Sequence, residues 1–517
     1  TRRQIAGAAA AAVALGGLAG AVLLLTAPSS ADEPSWQTVA DVNHRFADGS
    51  TPLQWAVYEG DIAELSRLLE AGADVTLANQ YGVTPMSLAA EVADTEAIRL
   101  LLAAGADADS PNAEGQTALM TVARTGNVEA AKLLLDHGAT VDARESWGGQ
   151  TALMWASARR HPPMMELLIE HGADIEARSI HRDYQRHVTA EGRPKSLDSG
   201  GFTPLLYAAR ENCIACAEVL LENGADINNP DPDGVSPLHV AIMNTNWDLA
   251  KLLIEAGADV NQWDIYGEAP LFTALGNYTR MSGAKASIDP LNETDGETIV
   301  RMLLERGANP NMQLFFRPAN VRGSTNTRGS TPLIRAATNN DREMIDLLLE
   351  YGADPTIYMA DWQTPIHAVL AGRASERDAL ELIELFYEAG TDVNVMALVN
   401  HREEIRGGTA LHYAVRKRYQ DVIRQLAEYG IDLDARDQDG LTALDYTQSR
   451  GFMPFMALQT PLYEEEAALL RELGATVEVE QEPLWPVLGP PQGVWPDIWP
   501  LGTPRVHEPI YTHSTGQ

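Results

Sequence analysis

The sequence is short of positive charge. Its 517 residues include 38 Lys+Arg against 72 Asp+Glu, which gives a formal net charge of −34 at pH 7. A surface of this sign repels phosphate backbones and anionic lipid headgroups, so nucleic-acid binding and peripheral membrane binding are excluded as leading functions. The chain is nevertheless 45% hydrophobic, which is typical of a folded protein and not of a disordered one.

Short catalytic motifs are also missing. The chain has no G-x-x-x-x-G-K-[ST] phosphate loop, no H-E-x-x-H zinc motif and no G-x-S-x-G nucleophile turn. Residues 229–240 begin like a calcium loop, but Val240 stands where the bidentate glutamate is needed. We therefore expect a protein that is not an enzyme and that holds no metal and no cofactor.

Cysteine is scarce. Cys213 and Cys216 are the only two, in a C-x-x-C spacing followed by Ala217. A c-type haem needs histidine at that next position, and a four-cysteine zinc site needs two more cysteines, so both are excluded. Three readings stay open. The pair is two small half-buried thiols, or a local disulfide, or a redox pair whose thiolate is favoured by a helix N-terminus.

The first 31 residues carry two arginines and no acidic residue. An uncharged run follows from residue 5 to 26, and small residues Ser29 and Ala31 come next. This layout predicts a signal peptide over residues 1–31, of the Sec or twin-arginine type, with an uncut membrane anchor as the alternative. We expect export, to a bacterial periplasm, and a lead-in segment over residues 32–45. No cysteine lies near the cleavage site, which excludes a lipid anchor there.

One phrase recurs along the chain, as in "TPLLYAARENCIACAEVLLENGADIN" at residues 203–228. Eleven copies begin at Thr51, Thr84, Thr117, Thr151, Thr203, Ser236, Ala269, Thr331, Thr364, Thr409 and Thr442. Six of the steps between them are 33 residues long. Each copy reads as a helix capped by Thr, a turn, and a leucine-rich second helix ending at glycine. Helices this short cannot bury their apolar faces alone, so neighbouring copies must stack.

The period and the T-P-L-H-x-A phrase strongly resemble the ankyrin repeat. The resemblance implies an all-α solenoid of about eleven stacked helix-turn-helix repeats over residues 46–478, with insertions in the hairpin loops. It also implies that the function of the chain is to bind proteins. We expect the chain to be a monomer. His239, His367 and His412 occupy the histidine position of the phrase, where we expect them to hydrogen-bond within the turn.

Three insertions lengthen the loop between one repeat and the next, at residues 178–200, 312–329 and 395–408. The first carries five Arg/Lys against three Asp/Glu, and the second carries three Arg and no acid. Arginine and aromatic side chains are the residues that anchor interfaces. The candidate partner-binding residues are Arg182, Tyr184, Arg186, Arg193, Phe315, Phe316, Arg317, Arg322 and Arg402. The alternative is that these fingers fold back on their own scaffold.

Residues 479–517 leave the repeat and alternate tryptophan with proline. This tail either caps the last repeat or docks on another protein. Taken together, the sequence predicts an exported, non-enzymatic scaffold that binds an unidentified partner protein through hairpin fingers and a concave groove. The alternative function is a redox or enzyme-accessory role for Cys213 and Cys216.

Overall fold

The structure is a computed structural model that describes residues 36–181, 200–264, 267–283, 292–314, 329–398, 407–438, 440–447 and 463–476. Over these ranges the regular structure is helical, and the only β pairing is two isolated bridges, Ala397 with Gly408 and Arg436 with Thr442. The predicted all-α class is confirmed. The predicted signal peptide and the Pro/Trp-rich tail lie outside the described residues.

The described residues form two compact units. Unit 1 comprises residues 36–181 and 200–226, and unit 2 lies within residues 227–476. The helices of unit 1 are α1 (Pro52–Glu59), α2 (Ile62–Glu70), α3 (Pro85–Glu91), α4 (Thr95–Ala103), α5 (Ala118–Thr125), α6 (Val128–Asp136), α7 (Ala152–Ala158), α8 (Pro162–Glu170), α9 (Pro204–Arg210) and α10 (Ile214–Glu222).

The helices of unit 2 are α11 (Pro237–Met243), α12 (Trp247–Glu255), α13 (Pro270–Gly283), α14 (Gly296–Glu305), α15 (Pro332–Asn339), α16 (Arg342–Glu350), α17 (Pro365–Ala371), α18 (Glu376–Glu388), α19 (Ala410–Lys417), α20 (Gln420–Glu428), α21 (Ala443–Tyr446) and α22 (Glu464–Leu473). In both units the odd-numbered helices are the first helix of a repeat and the even-numbered helices are the second.

Most first helices begin at a threonine or serine that caps them. Thr84 is an example: its hydroxyl oxygen accepts a hydrogen bond from the Ser87 N–H at 3.1 Å, and the Ser87 hydroxyl oxygen accepts one from the Thr84 N–H at 2.9 Å. Pro85 takes the first helical position, where no N–H is needed. Because the free donors at the helix start are satisfied in this way, a helix of seven residues begins at a defined place.

Within each unit, first helices pack on first helices and second helices on second helices. In unit 1, Leu65, Ile98, Leu134 and Leu168 come from four successive second helices, and all four are fully buried. A pair of helices of seven to nine residues each has no interior of its own that could bury these side chains. The apolar core therefore runs through the stack and makes each repeat depend on its neighbours.

Polar side chains in the turns after the second helices join one repeat to the next. The Asp142 carboxylate accepts a hydrogen bond from the Asp174 N–H at 3.0 Å, and in unit 2 the Asn311 side-chain oxygen accepts one from the Asp354 N–H at 2.7 Å. These bonds fix the spacing of successive turns, and so they fix the spacing of the hairpin tips that follow each turn.

Candidate protein-interaction surfaces

The predicted finger residues fall outside the described ranges: Arg182, Tyr184, Arg186, Arg193, Phe315, Phe316, Arg317, Arg322 and Arg402. Their part in binding stays a prediction. The structure does describe where each insertion leaves and rejoins the scaffold.

All three insertions start from a closed hairpin stem. In unit 1, the Ser179 N–H donates to the Phe202 carbonyl at 3.0 Å. In unit 2, the Leu314 N–H donates to the Ser330 carbonyl at 3.2 Å, and the bridge between Ala397 and Gly408 holds two bonds of 3.0 Å. The hairpin stem at the base of each insertion is therefore closed, and the repeat that carries it is intact.

One shorter tip in unit 2 has an unusual backbone. Trp362 has a φ of +64°, a left-handed conformation that bulky residues rarely adopt. The corresponding tip positions Gly82, Gly115, Gly234 and Gly440 have φ between +75° and +82°, and glycine adopts this conformation without strain. Holding tryptophan there costs on the order of 1–2 kcal/mol.

The strained tip presents an aromatic pair. Tyr358 and Trp362 are 39% and 38% exposed, and their ring centroids are 5.7 Å apart. The tip is braced from both sides, since the Gln313 amide donates to the Tyr358 carbonyl at 3.1 Å and the Leu398 N–H donates to the Asp361 carbonyl at 2.7 Å. Gln313 and Leu398 belong to the stems of two insertions. A rigid, half-exposed Tyr–Trp pair between two insertion stems has the properties of an interface anchor.

Sequence reasoning did not identify Trp362. The sequence does contain a signal, which is the absence of a glycine at this position. When "MADWQT" at residues 359–364 is aligned with "NQYGVT" at residues 79–84, Trp362 stands where the other repeat has Gly82. A tip in unit 1 also exposes apolar side chains: Trp147 is 59% and Ile180 43% exposed. The Ile180 N–H donates to the Gly148 carbonyl at 2.7 Å, so the two tips that carry these side chains are adjacent.

The two cysteines lie at the start of α10, as the alignment of repeats predicts. Cys213 is the N-cap residue, and its sulfur accepts a hydrogen bond from the Cys216 N–H at 3.2 Å. The two sulfur atoms are bonded at 2.00 Å, as a disulfide. Both side chains are buried, Cys216 completely. Redox exchange needs a sulfur that another molecule can reach, so these positions give the redox alternative no support.

The three histidines of the repeat phrase are buried and hydrogen-bonded within the scaffold. His367 Nε2 lies 3.2 Å from the Gly408 carbonyl oxygen, and His412 Nε2 lies 3.2 Å from that of Leu441. Burial lowers the pKa of His239, His367 and His412 to about 4 in each case, because the charged imidazolium is poorly solvated there. Their neutral rings therefore belong to the structure and are not proton carriers near pH 7.

Metal-binding clusters are absent from the described ranges, where no three His, Cys, Asp or Glu side chains are grouped closely enough to hold an ion.

Three models of one family match the chain. The model "Ankyrin repeats (3 copies)" matches residues 10–112, 87–179 and 372–452, "Ankyrin repeats (many copies)" matches 205–254, and "Ankyrin repeat" matches 328–359. Together these ranges cover more than half of the chain. The chain belongs to the ankyrin-repeat family.

Several curated proteins are similar to this ankyrin-repeat chain over part of their length. The mitochondrial disaggregase of Bos taurus is 29% identical over 167 residues, 32% of this chain and 23% of that protein. The nuclear factor NF-kappa-B p105 subunit of Gallus gallus is 30% identical over 194 residues, 37% of this chain and 16% of that protein. The chain thus spans less than a quarter of either relative.

The E3 ubiquitin-protein ligase Ufd4 of Drosophila melanogaster is 30% identical over 151 residues, 29% of this chain and 5% of that protein. Among solved structures, the ankyrin repeat domain of Bcl-3 is similar with 30% identity and a TM-score of 0.37, covering 44% of this chain and 94% of that one.

No helix in the described part of the chain has both the length and the apolar character needed to cross a membrane.

Proposed function

We propose that this chain is an exported, monomeric, non-enzymatic scaffold that binds a partner protein through its hairpin tips and first helices. Membership of the ankyrin-repeat family supports protein binding as the activity. The layout of residues 1–31 supports export. Sequencing the N-terminus of the mature protein tests export, because an exported and processed chain begins after residue 31.

The observation that carries the binding proposal is the Tyr358–Trp362 pair. The backbone of Trp362 is strained, yet both residues are more than a third exposed. An aromatic kept in solvent at a strained position contributes little to the folded state. It contributes to a complex when a partner covers both rings, since apolar area removed from water stabilises by about 25 cal/mol per Å².

Affinity capture with the full chain as bait tests this role. The bait is compared with the double variant Tyr358→Ala/Trp362→Gly and with the control Tyr387→Ala. Tyr387 lies on the second helix α18, is 38% exposed and stacks on Tyr429 at 3.8 Å, so it matches Tyr358 in residue type and exposure. We expect quantitative mass spectrometry to show specific partners reduced at least tenfold by the tip variant and unchanged by the control. Equal capture by all three baits would overturn the proposal.

A deletion tests the first finger separately. Removing residues 182–199 joins His181 to Gly200 and keeps the stem closed by Ser179 and Phe202. We expect helical content and melting to stay nearly unchanged while partner capture is lost. A deletion that unfolds unit 1 would show that the finger is structural.

A further inference from the structure

In five repeats of unit 2 the two helices differ in charge. The first helices α11, α13, α15, α17 and α19 contain no Asp and no Glu. The second helices α12, α14, α16, α18 and α20 carry two to five carboxylates each. Among the helices of these five repeats, the acidic residues are therefore confined to the second helices.

Basic residues lie on, or directly after, three successive first helices. Arg335 lies on α15, Arg373 follows α17, and Arg416 and Lys417 end α19. The C-terminal ends of these helices are in contact, since the Lys417 ammonium donates to the Gly372 carbonyl at 3.0 Å and the Arg373 N–H donates to the Thr338 carbonyl at 3.3 Å. We call Arg335, Arg373, Arg416 and Lys417 the basic ridge.

Two members of the basic ridge are open to a partner. Arg373 and Lys417 are exposed, and neither pairs with a carboxylate among the residues that the structure describes. Arg335 lies over the Phe272 ring at 4.5 Å, which holds its guanidinium in one place.

Three carboxylates at the starts of the second helices α16 and α18 are already engaged. Asp378 accepts hydrogen bonds from Ser375 and from the Asn340 amide, and Glu376 accepts one from the Asp421 N–H at 2.8 Å. The Asp341 carboxylate accepts from the Met344 N–H at 3.2 Å. These groups cap second helices, and their charge is directed at helix N-termini.

We infer that the basic ridge binds a short acidic segment of the partner protein. This inference rests on the proposed scaffold function and specifies the chemistry of the partner. Turns on adjacent helices lie about 8–10 Å apart, so the ridge from α15 to α19 is about 20 Å long. An extended peptide of six or seven residues covers that length. A long polyanion such as a nucleic acid is disfavoured, because the net charge of −34 on the chain repels it.

The test measures peptide binding to the full chain by fluorescence anisotropy. The probes are labelled decaglutamate, decalysine and a 20-nucleotide thymidine strand, each at low and at physiological salt. The variant is Arg373→Glu/Lys417→Glu. The matched control is Arg377→Glu/Arg424→Glu on the second helices α18 and α20, where the two arginine side chains are 87% and 49% exposed. Circular dichroism confirms that both variants are folded.

We expect decaglutamate to bind the parent chain, to lose at least tenfold in affinity with the ridge variant, and to change less than twofold with the control. Binding should weaken as salt rises, because exposed charges are screened. Absence of decaglutamate binding, or equal loss in both variants, overturns the inference. Ridge-dependent binding of the thymidine strand at equal affinity also overturns it. If the ridge variant captures a partner protein as well as the parent chain does, the role of the ridge is refuted and the scaffold function stands.

Discussion

The buried histidines should make unit 2 sensitive to acid. For two of the three, His367 and His412, the chain supplies its own control. His367 Nδ1 accepts from the Thr364 N–H at 3.3 Å, and His412 Nδ1 accepts from the Thr409 N–H at 3.1 Å. In the first repeat Gln54 stands at the same position. Its side-chain oxygen accepts from the Thr51 N–H at 2.8 Å, and its amide donates to the Val83 carbonyl. Glutamine therefore makes both bonds of the histidine without titrating.

The size of the effect follows from the pKa values. Burial lowers the pKa of His367 and His412 from 6.5 to about 4. In the unfolded chain each ring takes up a proton near pH 6.5, whereas the folded chain resists protonation down to about pH 4. Their contribution to stability is therefore complete above pH 6.5 and is lost as the pH falls toward 4. At pH 5 the loss is about 2 kcal/mol for each ring, or about 4 kcal/mol for the pair.

The assay is urea unfolding followed by circular dichroism at pH 7.5 and pH 5.0. Between these pH values the parent should lose about 4 kcal/mol more than His367→Gln/His412→Gln. His137→Gln is the control, since His137 is exposed on unit 1 and its Nδ1 lies 2.8 Å from the Leu133 carbonyl oxygen, one turn earlier in the chain. If parent and double variant show the same pH dependence, the buried rings do not determine acid stability and the reasoning is wrong.

Three further changes test other parts of the structure by urea unfolding. Trp362→Gly should change stability by less than about 1 kcal/mol, because relief of the left-handed backbone offsets the lost ring pairing and the greater freedom of glycine; a loss above about 2 kcal/mol would contradict the strain. Cys213→Ser/Cys216→Ser should cost about 2 kcal/mol or less, because the closed loop is so short, and mass spectrometry after alkylation without reductant should find no free thiol in the parent. Arg418→Ala should cost about 1–3 kcal/mol because the fully buried Glu466, 3.3 Å from Arg418, would lose its ion-pair partner; an unchanged midpoint would show that the pair contributes nothing.

The fold could be predicted from sequence because local residues mark where the helices of each repeat begin and end. These marks are a capping residue such as Thr84, the proline after it and the glycine that ends the second helix. Each acts within a few residues, and the same signals recur from repeat to repeat. The candidate site was harder to predict. The insertions have no period that would place their side chains, so sequence reasoning ranked Arg182 or Phe315 by residue type alone. Trp362 was overlooked because aligning the repeats draws attention to the residues they share. Trp362 matters because it differs from the glycine that other repeats have at this position.

The repeat itself limits where recognition can take place. Helix α17 buries every residue from Pro365 to Leu370, and α19 buries every residue from 410 to 415. Around a first helix, only the residues at and just after its C-terminal end, and the hairpin tip before it, are left to vary without disturbing the core. In one repeat these two places are occupied by Trp362 and Arg373, at opposite ends of a seven-residue helix about 10 Å long. A partner that contacts both must lie along the helix, with an apolar surface at the tip and carboxylates at the other end. The burial of the first helices, which keeps the repeats regular, thus also determines the order in which apolar and acidic groups must follow one another along the bound partner.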